Sequence, residues 1–145
     1  WVFAERIGQL IGRFGERRAL TFEYIGLIIV FIAYGIVQNA TIAAFLYILD
    51  HMFFAMAIAI STYFQKIADP KDMASSAGVS FSINHIAAVI IPALLGLVWI
   101  WSHSLVFYIG ALFALLSLIA AQFIPKSPSP NQETRFSLAA SSARP

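Results

Sequence analysis

Cysteine is absent from this chain. That excludes a disulfide framework and any metal site built on thiolates, and it leaves the redox compartment open. Charge is scarce as well: Asp, Glu, Lys and Arg make up 11% of the residues, where an ordinary soluble domain carries about a quarter. No His-x-x-His cluster, nucleophile elbow or phosphate-binding loop occurs, so neither catalysis nor ATP use has a recognisable apparatus. No enzymatic activity, cofactor or bound metal is therefore expected. The period-two alternation that barrel strands require is missing too. No basic n-region or small-residue cleavage site marks a secretory leader. The chain opens on Trp1 rather than Met, and it is expected to be a piece of a longer protein.

What is present is apolar. Hydrophobic residues make up 60% of the 145 positions, with a mean hydropathy of +0.82. A soluble domain of this size leaves too much of its surface in water to hide such a composition, so the lipid bilayer is the expected solvent. Crossing a hydrocarbon core takes roughly 20 apolar residues in helical form. Four segments reach that length, at about 20–37, 41–64, 75–99 and 105–123. The expected fold is an all-α membrane protein with four transmembrane helices over 20–124. A basic segment, 1–19, precedes them. A tail, 125–145, rich in Pro, Ser, Asn and Gln, lacks the means to form a core and is expected to be disordered.

The connections alternate in character. Arg6, Arg13, Arg17 and Arg18 precede the first segment, Lys66 and Lys71 lie between the second and third, and Lys126, Arg135 and Arg144 follow the fourth. The links "QNA" and "WSHS" carry no Lys or Arg. All 9 basic residues thus fall on one side of a four-helix topology. Lys and Arg are retained on the cytoplasmic face, so both ends of this segment are expected there, in the cell (inner) membrane. A net charge of +2 placed in this way speaks for topology and not for a nucleic-acid partner. Trp99 and Trp101 suit an outer aromatic belt, and Tyr24, Tyr63 and Phe64 an inner one.

The stretch "GQLIGRFGERR" before the first helix resembles the signature loop of the major facilitator superfamily of transporters, G-x-L-A-D-R-x-G-R-[RK]. Gly8, Leu10, Arg13, Gly15 and Arg17 match; Gly12 stands where the family has its acidic residue, and Glu16 where a basic one is usual. A basic juxtamembrane turn also serves simply as a topology anchor. The resemblance implies a fold of twelve helices in two halves, with internal repeats of a kind common in transporters. If this is the loop between helices eight and nine, four helices and a cytoplasmic tail should follow, as they do here. The first residues are then the end of helix eight, and the missing N-terminal half of the same protein is an implied partner. The family's ninth and twelfth helices face lipid, while its tenth and eleventh border a central cavity that takes a small-molecule substrate.

The mid-membrane ionisable residues, Asp50, His51 and His85, all fall in the second and third segments. An ionised Asp at a helix centre costs about 2.5–3.5 kcal/mol on insertion scales, so such residues face a bundle interior or a watery cavity. Asp50 and His85 each lie roughly 14–16 Å below their own surfaces at 1.5 Å per residue, so antiparallel neighbours can hold them at similar depth. Successive residues point about 100° apart, so Asp50 and His51 are not expected to aim at one point. Tyr47 is within one turn of both. On the third helix Ser75, Gly78, Ser82, His85 and Pro92 share one broad face, with Asn84 on an adjoining one. Pro92 leaves the Ala88 carbonyl without its donor, and a kink there suits a helix that rocks between states. Two readings stand for Asp50, His85, Asn84 and His51: they line a substrate or proton path, or they form a satisfied pair that holds two helices in register. Glu23 is expected to snorkel to the interface and has no assigned role.

The expected function is the C-terminal part of a secondary transporter moving a small solute by alternating access, with a proton as a candidate coupling ion. One rival is a self-contained four-helix small exporter acting as a dimer, a class that carries a central carboxylate in its first helix; this chain has only Glu23 there, read as interfacial, which counts against it. The other is a non-transporting membrane scaffold subunit.

Overall fold

In a computed structural model the described residues are 15–125, 128 and 134. Gly8 and Arg13 of the signature-like loop, the end of a preceding helix and nearly all of the tail lie outside them. Among the described residues the chain is helical and has no strand. Its helices are α1 (Glu16–Ile36), α2 (Ala40–Phe54), α3 (Ile58–Ile67), α4 (Met73–Trp101) and α5 (His103–Ala121). A single 3-10 turn, Ala55–Ala57, joins α2 to α3, and the two helices form one continuous crossing. Four helical units, Glu16–Ile36, Ala40–Ile67, Met73–Trp101 and His103–Ala121, are long and apolar enough to span a membrane. These four units overlap the four apolar segments of the sequence. The protein is membrane-embedded.

Local chemistry sets the boundaries. Gly15 caps α1 at φ 85°, a left-handed conformation that a side chain would make costly. The Asn39 side-chain oxygen accepts from the Thr41 and Ile42 amides at 2.9 and 3.3 Å, so two otherwise orphaned donors start α2. Between α3 and α4, the Asp69 carboxylate accepts from the Lys71 amide at 3.0 Å, and the Asp72 amide donates to the Asp69 carbonyl at 2.9 Å, closing a turn around Pro70. Ser102 alone separates α4 from α5, and its hydroxyl accepts from the Leu105 amide at 3.3 Å. Arg17, Arg18, Lys66 and Lys71 accordingly gather at one end of the bundle, called the basic end below.

Packing is uneven. α1 buries a stripe of Glu16, Ala19, Leu20, Glu23, Gly26, Leu27 and Val30, which is one face at helical spacing. Its most extensive partner is α5, which buries Ala111, Ala114 and Ala121. Small residues at such spacing let two backbones approach closely in a membrane. Toward the opposite end Tyr34 stacks on Phe107, ring centres 4.8 Å apart. The second crossing also lies against α1 through α2, the 3-10 turn and α3. A methyl at Gly26 would overlap the Phe53 ring, and one at Gly35 the Tyr108 ring, so these two glycines admit one aromatic from each neighbour.

α4 behaves differently. It packs on α5 alone to any extent, and its ring contacts with α5 cluster near Ser102, where Trp99 meets His103 and Phe107. No residue of α4 is buried. It also runs through Pro92 without a break. The departure from α-helical geometry falls in the second crossing, at Ala55–Ala57, where the Ala55 amide is shared between the His51 and Phe53 carbonyls.

Candidate functional site

Asp50 and His51 lie on α2, one turn before the 3-10 segment. Despite the angular separation of successive helical residues, His51 Nδ1 and Asp50 Oδ2 approach to 3.8 Å. The same nitrogen lies 3.0 Å from the Tyr47 carbonyl. A carbonyl only accepts, so Nδ1–H donates there and the other ring nitrogen of a neutral His51 is left as acceptor. The Tyr47 and His51 rings are 4.1 Å apart. Asp50 keeps 27% of its side chain exposed and His51 58%. At 1.5 Å per residue Asp50 is about 15 Å from the start of its crossing. Asp50, His51 and Tyr47 therefore form one polar cluster at mid-depth.

His85 and Asn84 are not part of that cluster. Both are exposed on α4, and the nearest ring to His85 is Phe81, at 4.1 Å within the same helix. Ser82 returns its hydroxyl to the Gly78 carbonyl at 3.0 Å. Because α4 packs on α5 and not on the second crossing, His85 does not meet Asp50 in this arrangement. Two separate polar groups result, one on the second crossing and one on α4.

The basic end holds a third polar group. Gln122, just past α5, accepts from Arg17 Nη2 at 3.2 Å and donates to Thr21 Oγ1 at 3.0 Å and to the Leu118 carbonyl at 3.3 Å. The Thr21 hydroxyl in turn donates to the Arg17 carbonyl at 2.7 Å. Arg17 of the signature-like loop thus ties α1 to the end of α5, with Gly15 capping the same turn. On the other side of α1, Glu16 pairs with Lys66. The carboxylate sits in the first turn of α1 and the ammonium in the last turn of α3, the positions that both helix dipoles favour.

One expectation is corrected. Glu23 does not snorkel to the interface; it is 2% exposed. It sits on the α1 packing stripe between Ala19 and Gly26, about two turns in from the basic end. Both α5 and the second crossing pack on α1. Its Oε2 is enclosed and has no hydrogen-bond partner. The signal was present in the sequence: small residues at i−4 and i+3 put Glu23 on the face where helices meet rather than on a lipid face.

Among the described residues no three of His, Cys, Asp and Glu converge as a metal site. Comparison of the chain with protein-family models, with curated proteins and with solved structures returns no match.

Proposed function

We propose that this chain is the C-terminal part of a secondary transporter of the major facilitator type, moving a small solute by alternating access with proton coupling. It is not an enzyme, and both of its ends lie on the cytoplasmic face. The observation that carries this reading is the bare state of α4, which crosses the membrane with Asn84 and His85 exposed and no residue buried. Polar side chains at that depth face protein or a water-filled cavity, not hydrocarbon. The half of the protein that would precede residue 1 supplies the missing wall. The Asp50–His51 face of the second crossing borders the same cavity. α1 and α5, locked together by small residues and by Gln122, form the lipid-facing back of the bundle. The 3-10 turn at Ala55–Ala57, one turn past His51, is the hinge on which the second crossing bends; mid-helix 3-10 stretches often mark such hinges.

The test uses the full protein in vesicles that hold a pH-sensitive dye, challenged with a panel of small sugars, organic acids, amines and peptides. At least one solute moves the internal pH. Asp50→Asn removes that response and keeps downhill exchange of the labelled solute. If no solute crosses or moves protons, the transport reading is wrong.

A second reading is the self-contained small exporter. One observation favours it: the first crossing carries a carboxylate, Glu23, within the bundle. It is distinguished by expressing residues 1–145 alone, which transport under the exporter reading and not under the half-transporter reading.

A further inference from the structure

Glu23 is buried on the stripe of α1 that carries an apolar cluster. Ala19 and Leu20 of α1, Ala59 of α3 and Ala121 of α5 form its buried part, with Tyr24, Met56 and Ile58 packed against it. Among the described residues no Lys, Arg or His pairs with Glu23. On α1, Tyr24 is its chain neighbour, Arg17 is spent on Gln122, Arg18 is exposed, and Glu16 would add a like charge. Lys66 is the one lysine or arginine of the second crossing, and it is taken by Glu16. Asp50 and His51 of α2 engage each other, Tyr63 lies on α3, and the 3-10 turn holds no titratable side chain. On α5 the titratable residues are His103 and Tyr108, both in its half away from the basic end. No ion pair involves Glu23 among the described residues.

An isolated ionised carboxylate in such surroundings is far more costly than a neutral acid that lacks one hydrogen bond. The ligand this pocket fits is a proton. We propose that Glu23 is a proton-binding site, loaded while the second crossing lies against α1 and unloaded to water when that crossing bends away. The moving part is next to it. Met56 of the 3-10 turn packs on the same cluster, and Phe53 sits on Gly26, one turn along α1 from Glu23. A cavity of about 320 Å³ is lined in part by Leu20, Tyr24, Ile60 and Ser117, two of which flank Glu23 along α1, and water entering it is the proposed source of the proton. The proton comes from that water and returns to it, with no other reactant. A role for this proton in driving solute movement rests on the transport reading above; the site itself does not.

The experiment is infrared difference spectroscopy on the full protein in phosphatidylcholine vesicles. Wild type is compared with Glu23→Gln from mildly acidic to mildly alkaline buffer, with Asp50→Asn as the control carboxyl. The expected result is one carboxylic-acid carbonyl band that Glu23→Gln removes and Asp50→Asn keeps, and that fades as pH rises while the helical amide band is unchanged. No acid band assignable to Glu23 at any pH overturns the proposal, because the group is then always ionised. A band that persists until the helices unfold also overturns it, because the proton is then sealed in. No solute is needed for this reading, so a failure of transport and a failure of the proton site are told apart.

Discussion

Glu16 and Glu23 lie on the same face of α1, about two helical turns apart, and each is 2% exposed, yet among the described residues Glu16 pairs with a cation and Glu23 does not. Lys66 reaches Glu16 from the last turn of α3 because that turn ends at the basic end of the bundle. The part of the second crossing beside Glu23 is Ala55–Ala59, which offers methyls and the Met56 thioether. The first carboxylate clamps two helices together, and the second sits where the clamp can open.

Removing the clamp from one side should be worse than removing both halves. Lys66→Met leaves the Glu16 carboxylate buried without its partner and should cost about 1–3 kcal/mol. The double change Glu16→Gln with Lys66→Met should recover part of that loss, because no charge is left stranded. Thermal unfolding in detergent of the single and double variants measures the coupling. A double variant less stable than Lys66→Met alone would count against the pair as described.

Gly26→Val should push the Phe53 ring off α1. Overpacking of this kind costs about 1–3 kcal/mol, and Phe53→Leu in the same chain should restore part of it by vacating the space. If Gly26→Val melts at the wild-type temperature, Phe53 does not seat on Gly26.

Gln122 joins α5 to α1 through two side-chain bonds, and Arg17 supplies one of them. Gln122→Leu should therefore destabilise the bundle more than Arg17→Ala, at about 0.5–1.5 kcal/mol per bond lost. Equal melting temperatures for the two variants would mean that the Thr21 bond contributes nothing.

A chain without cysteine suits topology mapping by single introduced cysteines. Lys71→Cys should react with an impermeant maleimide from the cytoplasmic side, and Asn39→Cys and His103→Cys from the other. Labelling of positions 71 and 103 from the same side would dismantle the four-crossing assignment.

The sequence by itself determined the all-helical build, the four helices long and apolar enough to cross a membrane, and the gathering of Arg17, Arg18, Lys66 and Lys71 at one end. These follow from sums over neighbouring residues: apolar length against bilayer thickness, caps such as Asn39, and charge in the short links. It also placed Asp50, His51 and His85 well inside long apolar helices, because that is a matter of distance along the chain. Which helices touch was decided only by the tertiary structure. That depends on shape matched across the bundle, as Phe53 is matched to Gly26 and Ala114 to the α1 face, and hydropathy is blind to such matches. For the same reason Glu23 read as an interfacial residue by position and is buried in the structure. The 3-10 turn at Ala55–Ala57 carries no proline or glycine to announce it. Local rules see what one residue does to its own backbone; burial and bending are settled by the neighbours that the fold brings in.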